Sequence, residues 1–195
     1  MTTQEFKVPS WLLSVLFWMG AIGIIISFIP LNPKNASILD EYENIIVPIL
    51  SIGDVLNTIG EVGLFSLVAY KLKILDITKP SPTIIWVLAA ASFITFVWDD
   101  FVWATLAMTL IAGIACISNQ LTKKIGVWMI IDFVIFLIIL ICCYQESMQN
   151  LLLKLLLSGG KVVCLILCWP AIKVLMECKK FMLRNISEED SNTDE

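Results

Sequence analysis

Five polar side chains recur at helical spacing inside an otherwise apolar run: Ser51, Asp54, Asn57, Thr58 and Glu61. At 100° per residue Asp54, Thr58 and Glu61 fall within about 60° of one another, flanked by Ser51 and Asn57. The set therefore occupies one face of a helix over nearly three turns. Carboxylates beside an amide and a hydroxyl are suited to binding a cation or relaying a proton. Asp54 and Glu61 are expected in that role, with Asn57 and Thr58 as neutral ligands. Other apolar runs carry Asp132, Lys161 and Lys173. Pairing Asp54 with Lys161, and Glu61 or Asp132 with Lys173, would neutralise most of the charge, while Asp132 and Lys161 would tune the pathway. A carboxylate left without a partner in hydrocarbon takes up a proton, the starting point for proton coupling. Glu61 and Asp132, expected near one level, could share a proton or a cation. The plainer reading is that such charges only lock helices together or hold a partner subunit. Ionisable residues inside a span mark function by default, so conduction or transport is the first expectation.

Other chemistry finds little support. The chain has no histidine, which removes the commonest proton relay, metal ligand and catalytic base. None of the six cysteines (Cys116, Cys142, Cys143, Cys164, Cys168 and Cys178) has Cys-x-x-Cys spacing. Cys164 and Cys168 share a helical face but lack a third close ligand, so no metal site is expected. Cysteine in apolar helix is usually a small packing residue. Cys178, beside Lys179 and Lys180, has the setting of an acylated thiol. Asp99-Asp100 is followed by Phe101, Val102 and Trp103, not by the further spaced carboxylates of a Mg²⁺-dependent enzyme. Without a Ser-His-Asp set or a phosphate loop, neither an enzyme nor a bound cofactor is expected.

The elements that must position these residues follow from composition. Of 195 residues, 58% are hydrophobic and 15% charged, against roughly 25% charged in soluble domains. Mean hydropathy is +0.89. The net charge of −4 comes from the tail, where five acids occupy the last eight residues; the remainder carries 13 basic and 12 acidic groups. The expected fold is all-α: an integral membrane bundle of about six transmembrane helices, both termini cytoplasmic. The expected spans are 11–30, 45–70, 83–98, 101–117, 125–144 and 151–176, forming one polytopic domain over 1–184. Segment 31–44 reads as a short polar loop, and 185–195 as an acidic, disordered tail.

Asp99 and Asp100 would cost about 2.5–3.5 kcal/mol each at mid-membrane, so they are expected in a tight surface turn bracketed by Trp98 and Trp103. The other tryptophans (Trp11, Trp18, Trp86, Trp128 and Trp169) mostly lie near span ends and read as interfacial belts. Gly53 and Gly60, a heptad apart beside the stripe, would admit a close neighbour. The two acids of the second span cost roughly 5–7 kcal/mol against insertion, so that helix has to pack its stripe inward. Ser158-Gly159-Gly160 either joins an interfacial helix to a shorter final span or kinks one long helix.

Sidedness follows from lysine. With six helices, Lys7, Lys71, Lys73, Lys79, Lys123, Lys124, Lys179, Lys180 and Arg184 fall on one side, nine of the 13 basic residues. The opposite strips hold Lys34 with Asp40, Glu41, Glu43, Asp99, Asp100 and Glu146. The basic side is expected to be cytoplasmic. Lysine in place of arginine at all but one basic position hints at an AT-rich genome, hence a bacterial inner membrane.

The expected function is a small, oligomeric transporter or channel for an ion or a proton-coupled small solute. The alternative is a non-transporting membrane subunit, regulator or stress and defence effector that docks through its intramembrane charges. Expected partners are the lipid bilayer and a homo-oligomer or a partner membrane subunit, with no nucleic acid.

Overall fold

The computed structural model describes residues 8–27, 36–144 and 151–178, with the backbone alone for 36–47, 99, 142–144, 151–155 and 157–158. The expected acidic tail, Lys7 and the side chains of Cys142 and Cys143 lie outside the described residues. Six α-helices follow in order: α1 (Ser10–Ser27), α2 (Ala36–Ile74), α3 (Pro82–Val97), α4 (Val102–Ile117), α5 (Lys123–Tyr144) and α6 (Leu151–Glu177). No strand occurs among the described residues.

Among the described residues, four stretches are long and apolar enough to cross a membrane: Ser10–Ser27, Pro48–Ile74, Lys123–Ile141 and Gly159–Glu177. Of the six expected spans, 83–98 and 101–117 correspond to α3 and α4, which are shorter than these four. Each is apolar but has 16 residues, about 24 Å of helix against a hydrocarbon core of about 30 Å. Segment 31–44 is corrected, since α2 is already helical from Ala36.

Local chemistry explains the boundaries. Pro82 stands in the first turn of α3 after an extended Ser81, where a missing N–H costs nothing. Trp98 is extended (φ −136°, ψ 104°) and ends that helix. Asp99–Phe101 form a 3₁₀ turn into α4, so the two carboxylates mark a helical break. By contrast, Gly159-Gly160 and Pro170 leave α6 continuous. Gly160 lies against Ile135 of α5, whereas Gly159 faces open space.

Each helix packs on the next in sequence, and α6 returns to α1 to close a ring, also touching α2. Glycine sets the closest approach, between α1 and α2. A Cβ at Gly60 would strike the backbone of Gly20 and Leu16, and one at Gly23 the backbone of Asn57. Gly53 meets Ile26 and Ser27 in the same way. Small residues at a helix crossing let backbones touch, which supplies dispersion where lipid provides no hydrophobic drive.

The core gathers at one end of the ring. Leu13, Leu72, Leu75, Ile85, Leu88, Cys116, Ile125 and Leu175 belong to one buried cluster. They come from the starts of α1, α3 and α5 and the ends of α2, α4 and α6, so the chain runs up and down. The lysine-bearing connections at this end are tied together. Asn119 Nδ2 donates to the Lys79 carbonyl (3.1 Å), and Thr122 Oγ1 donates to the Cys116 carbonyl (2.7 Å). Large apolar side chains are exposed on all six helices, among them Ile22, Ile52, Phe93, Ile114, Ile138 and Val163. Such an outer surface belongs in lipid.

Candidate functional site

Inside the ring lies a cavity of about 110 Å³ lined by residues of all six helices. The helical period of α2 brings Asn57, Glu61, Leu64, Phe65 and Val68 to its wall; α5 contributes Trp128, Met129 and Asp132; α6 contributes Lys161, Cys164 and Cys168. Gly20 and Ile24 of α1, Ile85 of α3, and Thr109 and Cys116 of α4 complete most of the lining. Four of the six residues expected on a pathway therefore meet in one place: Asn57, Glu61, Asp132 and Lys161.

The electrostatics of this group differ from the expected pairings. Glu61 feels Lys161 as its attractive charge and Asp132 as its repulsive one, and it accepts a hydrogen bond from Ser92 Oγ of α3 (3.4 Å). Lys161 also places its Nζ 4.5 Å from the centroid of the Phe136 ring, a cation–π contact that holds an ammonium among apolar walls. One lysine thus shares the cavity with two carboxyl groups. Lys173, expected to take one of them, is exposed on α6 and absent from the lining. Asp54, expected to pair with Lys161, is exposed as well. It shares the angular face of Glu61 but lies seven residues earlier, about 10 Å further along the axis. That face of α2 is thus covered at Asn57 and Glu61 and uncovered one turn beyond them. Thr58 turns its hydroxyl to the Asp54 carbonyl (2.8 Å), satisfying the backbone, and does not line the cavity. Ser51 is exposed on the outer stretch of the same helix.

Several residues on or beside the cavity wall escaped the sequence reading, Thr109 on the wall itself. Ser92, Thr95, Thr105 and Thr109 form a hydroxyl seam between α3 and α4. Thr95 and Thr105 share a hydrogen bond between their side chains, and Thr109 donates to the Thr105 carbonyl (2.9 Å). Their spacing of three and four residues within apolar helices was the available signal. Cys116, Cys164 and Cys168 are buried free thiols on the cavity wall, and no local pattern distinguishes such cysteines from packing residues. Among the described residues no group of three or more His, Cys, Asp and Glu is placed to hold a metal ion. Two tryptophans also depart from the expected belts. Trp128 lines the cavity, and Trp169 stacks on Phe17 of α1 with centroids 4.4 Å apart. Trp11, Trp98 and Trp103 remain exposed at helix ends.

The chain matches no family model, no curated protein and no solved structure.

Proposed function

We propose that this protein is a small membrane transporter or channel whose pathway passes through the ring, with Asn57, Glu61, Asp132 and Lys161 as its binding groups. The observation that carries this reading is the meeting of two carboxylates, an amide and a lysine in one cavity lined by six helices. Burying these charges is costly, and a helix that served only to lock its neighbours needs no open volume beside them. The packed, lysine-rich end is the cytoplasmic end, which puts both termini in the cytoplasm of a cell membrane, the bacterial inner membrane being favoured. At that end Leu72, Ile85, Leu88 and Leu175 are fully buried against one another's helices, and they are the gate of the pathway in this reading. Alternating access then requires the gate to loosen, which a ring of mutually packed helices permits by small shears.

Reconstitution into liposomes tests this directly. Proton and monovalent-cation flux is expected in wild type and is expected to fall at least tenfold in both Glu61→Gln and Asp132→Asn. An absence of flux from folded, correctly inserted wild-type protein overturns the reading.

A second reading rests on Asp54. It is an exposed carboxylate among the exposed Ile52, Val55 and Ile59 of a membrane-crossing stretch. In lipid such a group demands cover from another copy or a partner subunit. The protein then acts as a docking subunit, regulator or defence effector, and Asp54→Asn is expected to lower its oligomeric mass in mild detergent.

A further inference from the structure

The cavity holds two carboxyl groups against one ammonium, and its walls specify what kind of ligand would fit beside them. Glu61 and Asp132 bring two carboxyl groups to the wall and Lys161 one ammonium, so one carboxyl group has no cationic partner among the described lining residues. The Lys161 ammonium is also engaged with the face of Phe136. The described lining offers side-chain oxygens from Glu61, Asp132, Asn57 and Thr109, and among the described residues no group of three or more His, Cys, Asp and Glu is placed to hold a metal ion. The remainder is hydrocarbon, sulfur and aromatic surface, including Phe65, Trp128 and Met129. The volume of about 110 Å³ is below the roughly 150 Å³ of a protein cavity that accepts benzene.

From the surplus carboxyl group, the wall chemistry and the volume together, we infer that the cavity binds a small organic monocation: a primary alkylammonium of about three to five heavy atoms. Its ammonium lies between Glu61 and Asp132, and its alkyl end lies against Phe65, Trp128 and Met129. An ammonium needs only three acceptors, which the two carboxylates and Asn57 supply. Its hydrocarbon end is desolvated without cost, as a metal ion's hydration shell is not. This inference rests on the transport reading and names the class of solute carried.

The test uses the full-length protein in detergent, with thermal unfolding followed by tryptophan fluorescence at constant ionic strength. The probes are methylammonium, propylammonium and butylammonium, with propanol and propionate as neutral and anionic counterparts, and Na⁺ and K⁺ as inorganic cations. Saturable stabilisation is expected with propylammonium or butylammonium at millimolar concentration, since a ligand that binds only the folded state raises its melting point. Propanol, propionate, Na⁺ and K⁺ are expected to give none. Glu61→Gln and Asp132→Asn are each expected to weaken the apparent affinity at least tenfold, while Gly159→Ala, which faces open space, is expected to leave it unchanged. Should either carboxylate variant fail to fold, Met129→Ala supplies the second readout, because a shortened wall is expected to move the preference towards butylammonium or longer chains.

Equal stabilisation by propanol or Na⁺, wild-type affinity in both carboxylate variants, or chain-length preference unmoved by Met129→Ala overturns the proposal. Failures of the two readings are separable. Proton or alkali flux without ammonium binding removes the ligand assignment and leaves transport standing. Ammonium binding without flux of any probe removes transport and leaves a cation-binding membrane protein.

Discussion

Glu61 and Asp132 line one cavity with a single lysine, and the cost of that arrangement sets the residue-scale expectations. Lys161→Met leaves two carboxyl groups in the cavity with no cation among its described lining residues. Removing one member of a buried charged group costs about 3–5 kcal/mol; with Lys161 partly accessible, about 2 kcal/mol is expected here. Lys161→Arg keeps the charge and the contact with Phe136 and is expected to recover most of it. Thermal unfolding in detergent separates the two, and equal losses would show that length and shape matter there more than charge. The Thr95–Thr105 pair makes a different statement. Each single change to Val is expected to cost about 1 kcal/mol, since one hydroxyl loses its partner, whereas the double change removes both partners and costs less than the sum. Strict additivity in that cycle would mean that the shared hydrogen bond is not formed in the bilayer. At this scale the sequence was partly legible. Glu61 and Asn57 announced themselves as polar residues in an apolar run, but Asp54 and Thr58 carried the same signal and lie outside the cavity. Periodicity reports the angle of a side chain around its helix and is silent on how far along the axis the neighbouring helices cover it.

Between α1 and α2 the decisive atoms are those that are missing. The backbone of Gly20 sits where a Cβ of Gly60 would be, and that of Asn57 where a Cβ of Gly23 would be. Gly60→Val therefore forces α1 away from α2 and from the cavity wall that Gly20 helps to form. A loss of about 2 kcal/mol or more is expected, typical of overpacking a close contact. Gly159→Ala replaces a helical glycine with open space around it and is expected to be neutral or to stabilise by up to about 1 kcal/mol through helix propensity. Paired melting curves check both, and a neutral Gly60→Val would mean that the close crossing is not maintained. Gly53 and Gly60 were recognisable in the sequence as a place for close approach, but the helix that fills it was not, because any helix backbone fits a small-residue groove. α3 and α4 show the converse. Their break at Asp99-Asp100 was legible because two adjacent charges and flanking tryptophans mark an interface. Their length of 16 residues each leaves open whether the hairpin turn reaches the far surface or stops within the membrane.

Across the molecule, that ambiguity does not disturb the sidedness of the basic connections. Whether α3 and α4 cross fully or turn back, the strips at 71–82 and 118–124 return to the same face, and the bond from Asn119 to Lys79 holds them together. Cysteines introduced at Lys73 and Lys124 are therefore expected to react with an impermeant maleimide from one side of sealed vesicles. One introduced at Asp100 is expected to react from the other side when α3 and α4 cross fully and from neither when they turn back, with the parent chain measuring the background of native thiols. Labelling of Lys73 and Lys124 from opposite sides would overturn the up-and-down ring itself. The sequence by itself determined the all-helical class, the membrane as the fitting environment, the break between α3 and α4, and the polar character of α2. Those properties follow from local composition and period: transfer free energy per residue, the helical repeat, and the cost of charge in hydrocarbon. Only the tertiary structure decided that α6 closes on α1, that Lys161 and not Lys173 joins the carboxylates, that Ser92 and three buried thiols belong to the same neighbourhood, and that the tight core sits at one end. Those outcomes depend on which helix faces meet and at what height, a matter of long-range packing that no single helix encodes.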